Sequence, residues 1–497
     1  MGWLNGSQEM RGASFRLRVP EIRPAVGLPW HIHRLLRGAM PERPNLLVVT
    51  CHDLGRYLHC YDQPTVQSPN LDALAADGIR FAQAYCCAPQ CSPSRAAMYT
   101  GRYPHANGVL GLTHANFGWD LHPTERHVGQ VLREAGYRTA LVGADHEVRH
   151  VTDEATAARI GMDELARPRR GDEIADAVLE RLERFGRGGR PFYVQVGFNE
   201  PHRLESADPA REPDYMGFVG DYVEPDEALG VRVPPWLRDT PGARREVAEL
   251  QGAVRYVDGQ IGRVLDGLRR FGLEENTLVL FMPDHGVALP RAKCAVYGAG
   301  LEVALIVRWP GRGWTGGRVQ PELISNVDVF PTLLEALGLG VPANVQGRSF
   351  LGLLDGTGYA PRDHVFGEMT YHDYYDPRRT VRTASHSLIV NFTCAPDFMD
   401  PSQSWRPRTE TVFPPKRPLA YHPIVELYDL RADPYEQRNL AGAGLPVEQE
   451  LLTTLREWMR ATADPLLDGA VTPPMHRWAL QALETGHAPD TRTPGVA

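Results

Sequence analysis

The residues with the most chemical content lie at positions 91–95, Cys91-Ser92-Pro93-Ser94-Arg95. Pro93 suits the first turn of a helix, where its missing N–H is not needed. Position 91 is therefore predicted at a helix N-terminus, where free backbone N–H groups and the macrodipole favour an anion. Arg95 follows one turn later on the same face. Taken alone, the five residues fit equally a buried cysteine beside a proline-initiated helix. A second set of candidates is scattered along the chain: His52-Asp53, His146, Asn199 to His202, and Asp284-His285. Each follows directly after a short apolar run.

Those apolar runs are the elements that must position the candidates. Residues 45–50, 139–142, 192–198, 277–282 and 303–307 read as strands buried on both faces. Between them lie helical stripes. Leu71, Leu74 and Ala75 end at Gly78, and Val128, Val131, Leu132 and Ala135 end at Gly136. Asp172 is expected to cap a helix carrying Ile174, Val178, Leu179, Leu182 and Phe185. A long helix carries Val247, Leu250, Val254, Val257, Ile261, Val264 and Leu268, and residues 328–337 form another before Gly338. This alternation predicts an α/β fold, a mainly parallel sheet flanked by helices on both faces. Ligands of such sheets sit beyond the carboxyl ends of the strands, so four strands would deliver ionisable groups to one edge.

After about residue 360 the texture changes. Residues 381–392 and 426–430 read as strands, 395–423 as a Pro-, Arg- and Ser-rich loop, and 446–462 as a helix. The expected organisation is a poorly structured extension over 1–40, a large domain over 41–365, a smaller α+β subdomain over 366–467, and a weakly specified tail over 468–497.

Thr100-Gly101-Arg102 stands behind the 91–95 segment, completing C-x-P-S-R followed by T-G-R. From Pro44 to Leu440 the chain resembles the type I, formylglycine-dependent sulfatases of the alkaline-phosphatase superfamily. Within them it is similar to the heparan N-sulfatase (N-sulfoglucosamine sulfohydrolase)-like bacterial branch. The resemblance implies an alkaline-phosphatase-like fold. It implies that a formylglycine-generating enzyme oxidises Cys91 to an aldehyde, whose hydrate attacks sulfur with one hydroxyl and expels sulfate by collapse of the other. It further implies catalytic roles for Cys91, Arg95, His146, His202 and Lys293, and one divalent ion at His52, Asp53, Asp284 and His285. Oxygen ligands suit Ca²⁺, the first expectation, or Mg²⁺, whereas imidazole draws the choice towards Mn²⁺ or Zn²⁺. The expected substrate is a small sulfated molecule, a carbohydrate carrying a sulfate ester or an N-sulfate.

The chain departs from the family pattern at two positions. His52 stands where an aspartate is usual, and Ala144 replaces the lysine of the G-K-x-H segment, here Gly143-Ala144-Asp145-His146. Arg149 is the candidate to replace that lysine. Glu368, His372 and Asp373 are candidates to reach sugar hydroxyls or an amine. The departures keep two other readings open: a phosphonate monoester or phosphodiester hydrolase of the same superfamily, and an inactive binder of sulfated ligands.

Bulk composition is that of a globular protein, 42% hydrophobic and 23% charged, with net charge −8. It lacks the basic footprint of a nucleic-acid binder. No apolar run reaches the ~20 residues of a membrane span or the form of a signal peptide, so the expected location is cytoplasmic. Seven cysteines, Cys51, Cys60, Cys86, Cys87, Cys91, Cys294 and Cys394, form neither a disulfide framework nor a zinc-finger spacing. All but Cys91 read as small buried hydrophobes. The sequence leaves the oligomeric state open.

Overall fold

A computed structural model of the chain describes residues 43–205, 216–218, 222–395 and 421–487. The expectations for the extension over 1–40, for most of the 395–423 loop and for the last ten residues lie outside the described residues.

The apolar runs form strands for the expected reason: they bury both faces. Strand β1 (Asn45–Cys51) is buried at every residue. Helix α1 (Pro69–Asp77) leads to β2 (Ile79–Tyr85), and α2 (Cys91–Thr100) follows β2 after a short loop. Then come β3 (Arg138–Gly143), β4 (Glu164–Ala166), α3 (Gly171–Gly186) and β5 (Phe192–Phe198). A two-residue pair, β6 (Leu204–Glu205) and β7 (Met216–Gly217), precedes the 30-residue α4 (Pro241–Arg270), β8 (Thr277–Phe281), β9 (Glu302–Val303), β10 (Ile306–Arg308), β11 (Arg318–Ser325) and α5 (Val329–Ala336).

Eight strands run in the order β11-β2-β10-β8-β1-β5-β3-β4, with β9 paired to β2. Strand β1 is parallel to both neighbours, β5 and β8. Strand β10 is antiparallel to its neighbours β8 and β2, and β9 is antiparallel to β2. The sheet is thus mainly parallel, as expected. The run at 303–307 is not one core strand: Ala304 and Leu305 break it in two, and both pieces run against the rest.

Helix α4 packs one face through Val247, Leu250, Val254, Val257, Ile261, Val264 and Leu268, all buried. Thr240 caps it by accepting the Ala243 N–H at 3.1 Å. Gly262 permits its close approach to α1, since a Cβ there would lie 2.3 Å from Asn70 Oδ1. Asp258 then takes the Asn70 and Leu71 backbone N–H groups at 3.1 and 2.8 Å. The expected cap of α3 needs correction. Asp172 lies in its first turn, the N-cap is Arg170, and Glu200 Oε1 takes the Gly171 N–H at 3.0 Å.

Strands β12 (Val365–Tyr371), β13 (Tyr375–Arg382), β14 (His386–Asn391) and β15 (Val425–Asp429) form a separate antiparallel sheet in chain order. Residues 381–392 are therefore the end of one strand, a turn and a second strand. Helix α6 (Pro446–Ala461) buries Leu451, Leu455, Trp458 and Met459 in a cluster with Phe366, Val381, Leu388 and Leu427. Cys87 and Ala97, flanking the start of α2 and within it, belong to the same cluster. In the stretch read as a weakly specified tail, α7 (Pro474–Thr485) buries Trp478. Among the described residues no helix is long and apolar enough to cross a membrane.

Candidate functional site

The carboxyl ends of β1, β3, β5 and β8 converge on the first turn of α2. Gln90 is the N-cap of α2 and Cys91 its first residue, with Gly101 closing the helix at φ +68°. The proline reading of this helix start holds. Ser94 Oγ donates to the Asp284 carbonyl. Asn326, just beyond β11, donates to Ser94 O and Oγ, both at 3.0 Å. These contacts fix the helix end against the edge of the sheet.

All nine residues singled out from the sequence meet here. His285 Nε2 lies 3.4 Å from Cys91 Sγ and 3.1 Å from Asp53 Oδ1. Lys293 Nζ donates to both Asp53 oxygens at 3.0 and 2.8 Å, and stands 3.3 Å from His202 Nε2. Asp284 Oδ2 receives Arg95 Nε at 3.1 Å and lies 3.0 Å from His52 Nδ1. Asp284 Oδ1 accepts the Asp53 and His285 backbone N–H groups at 3.0 and 2.9 Å. The rings of His146 and His202 lie 5.0 and 5.2 Å from that of His52. His146 leaves β3 by way of Gly143, whose φ of +95° suits glycine and where a Cβ would lie 2.1 Å from Gly197 O.

The electrostatics follow from this packing. Burial pushes the Cys91 thiol up, but the Lys293 ammonium and the neighbouring imidazoles of His146, His285 and His52 hold it well below its ordinary value. Burial opposes ionisation of Asp53, yet Lys293, His202 and His285 hold its carboxyl far below the carboxylate range. Asp284 is held down likewise by His285, Arg95 and His52. Against burial, Asp284 and Asp53 raise His285 to about 10. Burial, with Lys293 next, lowers His202 to about 4, and burial lowers His146 to about 4. His202 Nδ1 lies 2.7 Å from the Arg203 carbonyl, which fixes the neutral tautomer. Its Nε2 lone pair therefore faces the Lys293 ammonium.

The donors present fit a divalent cation. Ligand atoms of Asp53, Asp284 and His285 lie within 4.8 Å of one another and of the Cys91 sulfur. His285 Nδ1 lies 2.9 Å from the Gly286 carbonyl, the outer contact that orients a metal-binding imidazole. His52 Nε2 is buried with no protein hydrogen-bond partner, and so is Arg95 Nη2. Such open atoms are expected where a ligand completes the site.

Two peripheral expectations resolve differently. Glu368 is not a sugar-facing residue: it is buried, with Oε2 2.8 Å from His105 Nδ1 and 3.3 Å from Arg379. Arg149 does not fill the gap at Ala144 in this structure, because its guanidinium lies 5.2 Å over the Trp478 ring. His372 is buried, 3.2 Å from half-exposed Asp373. Sequence reasoning missed Thr50, which accepts from Arg95 Nη1 at 3.0 Å, and His114, and it assigned Ser94 no role. The His114 ring lies 4.8 Å from that of His146, and burial lowers its proton affinity against the pull of Cys91. Thr50 could have been found by extending the strand-end rule one residue back. Nothing in its surroundings singles out His114.

Comparison with known proteins gives the site a context. A family model described as "Sulfatase" matches residues 44–339, more than half of the chain, and one described as "N-sulphoglucosamine sulphohydrolase, C-terminal" matches residues 291–400. The chain is 28% identical to human N-sulphoglucosamine sulphohydrolase over 479 residues, covering 87% of this chain and 93% of that protein. It is 28% identical to an ulvan-active sulfatase of Formosa agariphila over 476 residues, covering 86% and 76%. The crystal structure of the putative sulfatase yidJ from Bacteroides fragilis superposes with a TM-score of 0.66 at 21% identity, covering 87% of this chain and 98% of that one. At that identity the likeness speaks for the fold.

Proposed function

This chain belongs to the sulfatase family and has its alkaline-phosphatase-like fold, and on that premise we propose that it removes sulfate from a sulfated sugar through a formylglycine made from Cys91. The observation that carries the proposal is the enclosure of Cys91. The first residue of a helix is surrounded by Lys293, His146, His285 and His52 and faces two carboxylates. The thiol occupies the place of the aldehyde hydrate.

Each residue has a task in this reading. Arg95 and Lys293 neutralise the charge of the incoming sulfate, where fixed cations in a water-poor site act most strongly. Lys293 Nζ and His202 Nε2, 3.3 Å apart, share the proton that the departing oxygen or nitrogen needs. The low proton affinity of His202 keeps that proton on Lys293 until the leaving group develops charge. His146 accepts a proton from the second hydroxyl as sulfate is expelled and the aldehyde returns. A divalent ion held by Asp53, Asp284 and His285, with His52 at its side, would supply charge for the sulfate oxygens and ease ionisation of the attacking hydroxyl. The two carboxylates suit the Ca²⁺ expected first, and the His285 imidazole draws the choice towards Mn²⁺ or Zn²⁺.

The match of residues 291–400 to the N-sulphoglucosamine sulphohydrolase C-terminal model supports an N-sulfated or O-sulfated hexosamine as substrate. Ala144, which takes away one family cation, and His285 favour the phosphonate ester reading as the alternative. Parallel assays with aryl sulfate, aryl phosphonate monoester, N-sulfoglucosamine and glucosamine 6-sulfate separate them. Sulfate or sulfamate release must exceed phosphonate hydrolysis, and a phosphonate rate far above every sulfate rate refutes the proposal.

A further inference from the structure

A cavity of about 470 Å³ lies between the loop after β1, the segment around Trp236 and the turn at residues 434–436, and shares no lining residue with the catalytic cluster. Its walls carry an unusual set of groups. The rings of Trp236 and Tyr435, with centroids 5.9 Å apart, both line it, and Tyr435 is 38% exposed. Tyr57 also lines it. That side chain is only 6% exposed, and its hydroxyl is buried with no hydrogen-bond partner. A buried hydroxyl without a partner is a cost that an incoming polar group removes.

Two charged groups stand at the same wall. Arg232 is exposed, is the charged group that acts on the Tyr57 hydroxyl, and makes no ion pair among the described residues. Asp62 is exposed as well. The other cations lining the cavity are engaged within its wall: Arg56 pairs with Glu302 at 3.4 Å, and Arg291 lies 3.7 Å over the Tyr297 ring.

Partly exposed aromatic faces, an open buried hydroxyl, one exposed cation and one exposed carboxylate form the complement of a sugar ring. The C–H face of a pyranose packs on an aromatic ring, its hydroxyls take up Tyr57 and Asp62, and a sulfate or carboxylate substituent meets Arg232. We propose that this cavity is an accessory binding site for a sugar ring with an anionic substituent. The choice of a sugar rests on the carbohydrate reading above, whereas the cavity and its open hydroxyl do not. The occupant is either a remote ring of a polymeric substrate or a free saccharide.

The test uses full-length protein carrying Cys91→Ala, so that nothing is turned over, titrated with a heparin-derived tetrasaccharide. The ¹⁵N indole resonance of Trp236, assigned by its loss in Trp236→Ala, is expected to shift saturably. Tyr57→Phe, which keeps the ring, should weaken that titration by about three- to tenfold. With Cys91 intact, Trp236→Ala should leave aryl sulfate hydrolysis unchanged. If Trp236→Ala also raises KM for a heparin oligosaccharide, the occupant is part of the polymer. If that KM is unchanged and glucosamine 6-sulfate alone shifts the Trp236 resonance, it is a free saccharide. A silent Trp236 resonance, or a titration unaltered by Tyr57→Phe, overturns the proposal. Absence of any sulfatase activity beside a responsive Trp236 would sink the catalytic reading and leave the accessory site standing.

Discussion

Around Cys91 and around Arg379 the chain buries the same kinds of groups: two carboxylates, histidine and basic side chains. At the seam between the two sheets, His105, Glu368 and Asp464 come together closely enough to hold a metal ion, but Arg379 occupies the middle. It reaches Asp464 with Nε at 2.5 Å and Nη2 at 3.1 Å and Glu368 at 3.3 Å, and its Nη1 donates to the carbonyls of Met369 and Arg378, both at 2.9 Å. Apart from His105 Nε2 these groups satisfy one another. Around Cys91 the cations stand at the periphery, and His52 Nε2, Arg95 Nη2 and His146 Nδ1 stay open. Each such atom costs about 1–3 kcal/mol if nothing meets it. A cluster that closes on itself holds the molecule together; one that leaves its polar atoms facing inward is prepared for a ligand.

The comparison is most easily broken at the nucleophile. Cys91→Ala should lower turnover by roughly 10⁵–10⁶-fold while leaving the denaturation midpoint nearly unchanged, as read by steady-state kinetics beside chemical denaturation. Arg379→Met should do the opposite. It strands Glu368 and Asp464 and should cost about 3–5 kcal/mol of stability, with kcat per folded molecule unchanged. Chelation sharpens the contrast. Stripping divalent ions should abolish activity and lower stability by about 2.7 kcal/mol relative to protein at a hundredfold excess of metal over Kd. His285→Asn should blunt that difference and Glu368→Gln should not.

The smallest effects are the pH limbs of the metal-stripped protein. Asp284 and Asp53 raise the folded pKa of His285 from 6.5 to about 10. Its contribution is therefore complete below pH 6.5 and disappears as pH climbs towards 10. Against burial, Arg379 lowers the folded pKa of Asp464 below 3.8. That contribution is complete above pH 3.8 and disappears as pH falls through the folded value. Denaturation midpoints across pH should show His285→Asn flattening the alkaline limb and Asp464→Asn the acid limb.

Much of this site was legible before the fold was known, for simple reasons. Strands buried on both faces are continuous apolar runs, so their ends, and with them His52, Asp53, Asp284 and His285, are visible. Pro93 marks the start of α2 and therefore the place of Cys91. What stayed hidden depends on partners far away in the chain. Glu368 reads as a strand-borne acid, and only its meeting with His105, 263 residues distant, makes it structural. The run at 303–307 breaks because Ala304 turns its N–H to the Gly55 carbonyl at 2.9 Å, a loop contact without local signal. Asp172 looked like a cap because Glu200, which takes the Gly171 N–H, lies beyond the next strand.

The central claim concerns what stands at position 91 in the working enzyme. The mass of the peptide spanning Cys91, taken from protein coexpressed with a formylglycine-generating enzyme and tested in parallel for aryl sulfate hydrolysis, addresses it directly. The account predicts the aldehyde, with activity rising in proportion to its occupancy. Full activity in a preparation whose peptide carries only the unmodified thiol would contradict it.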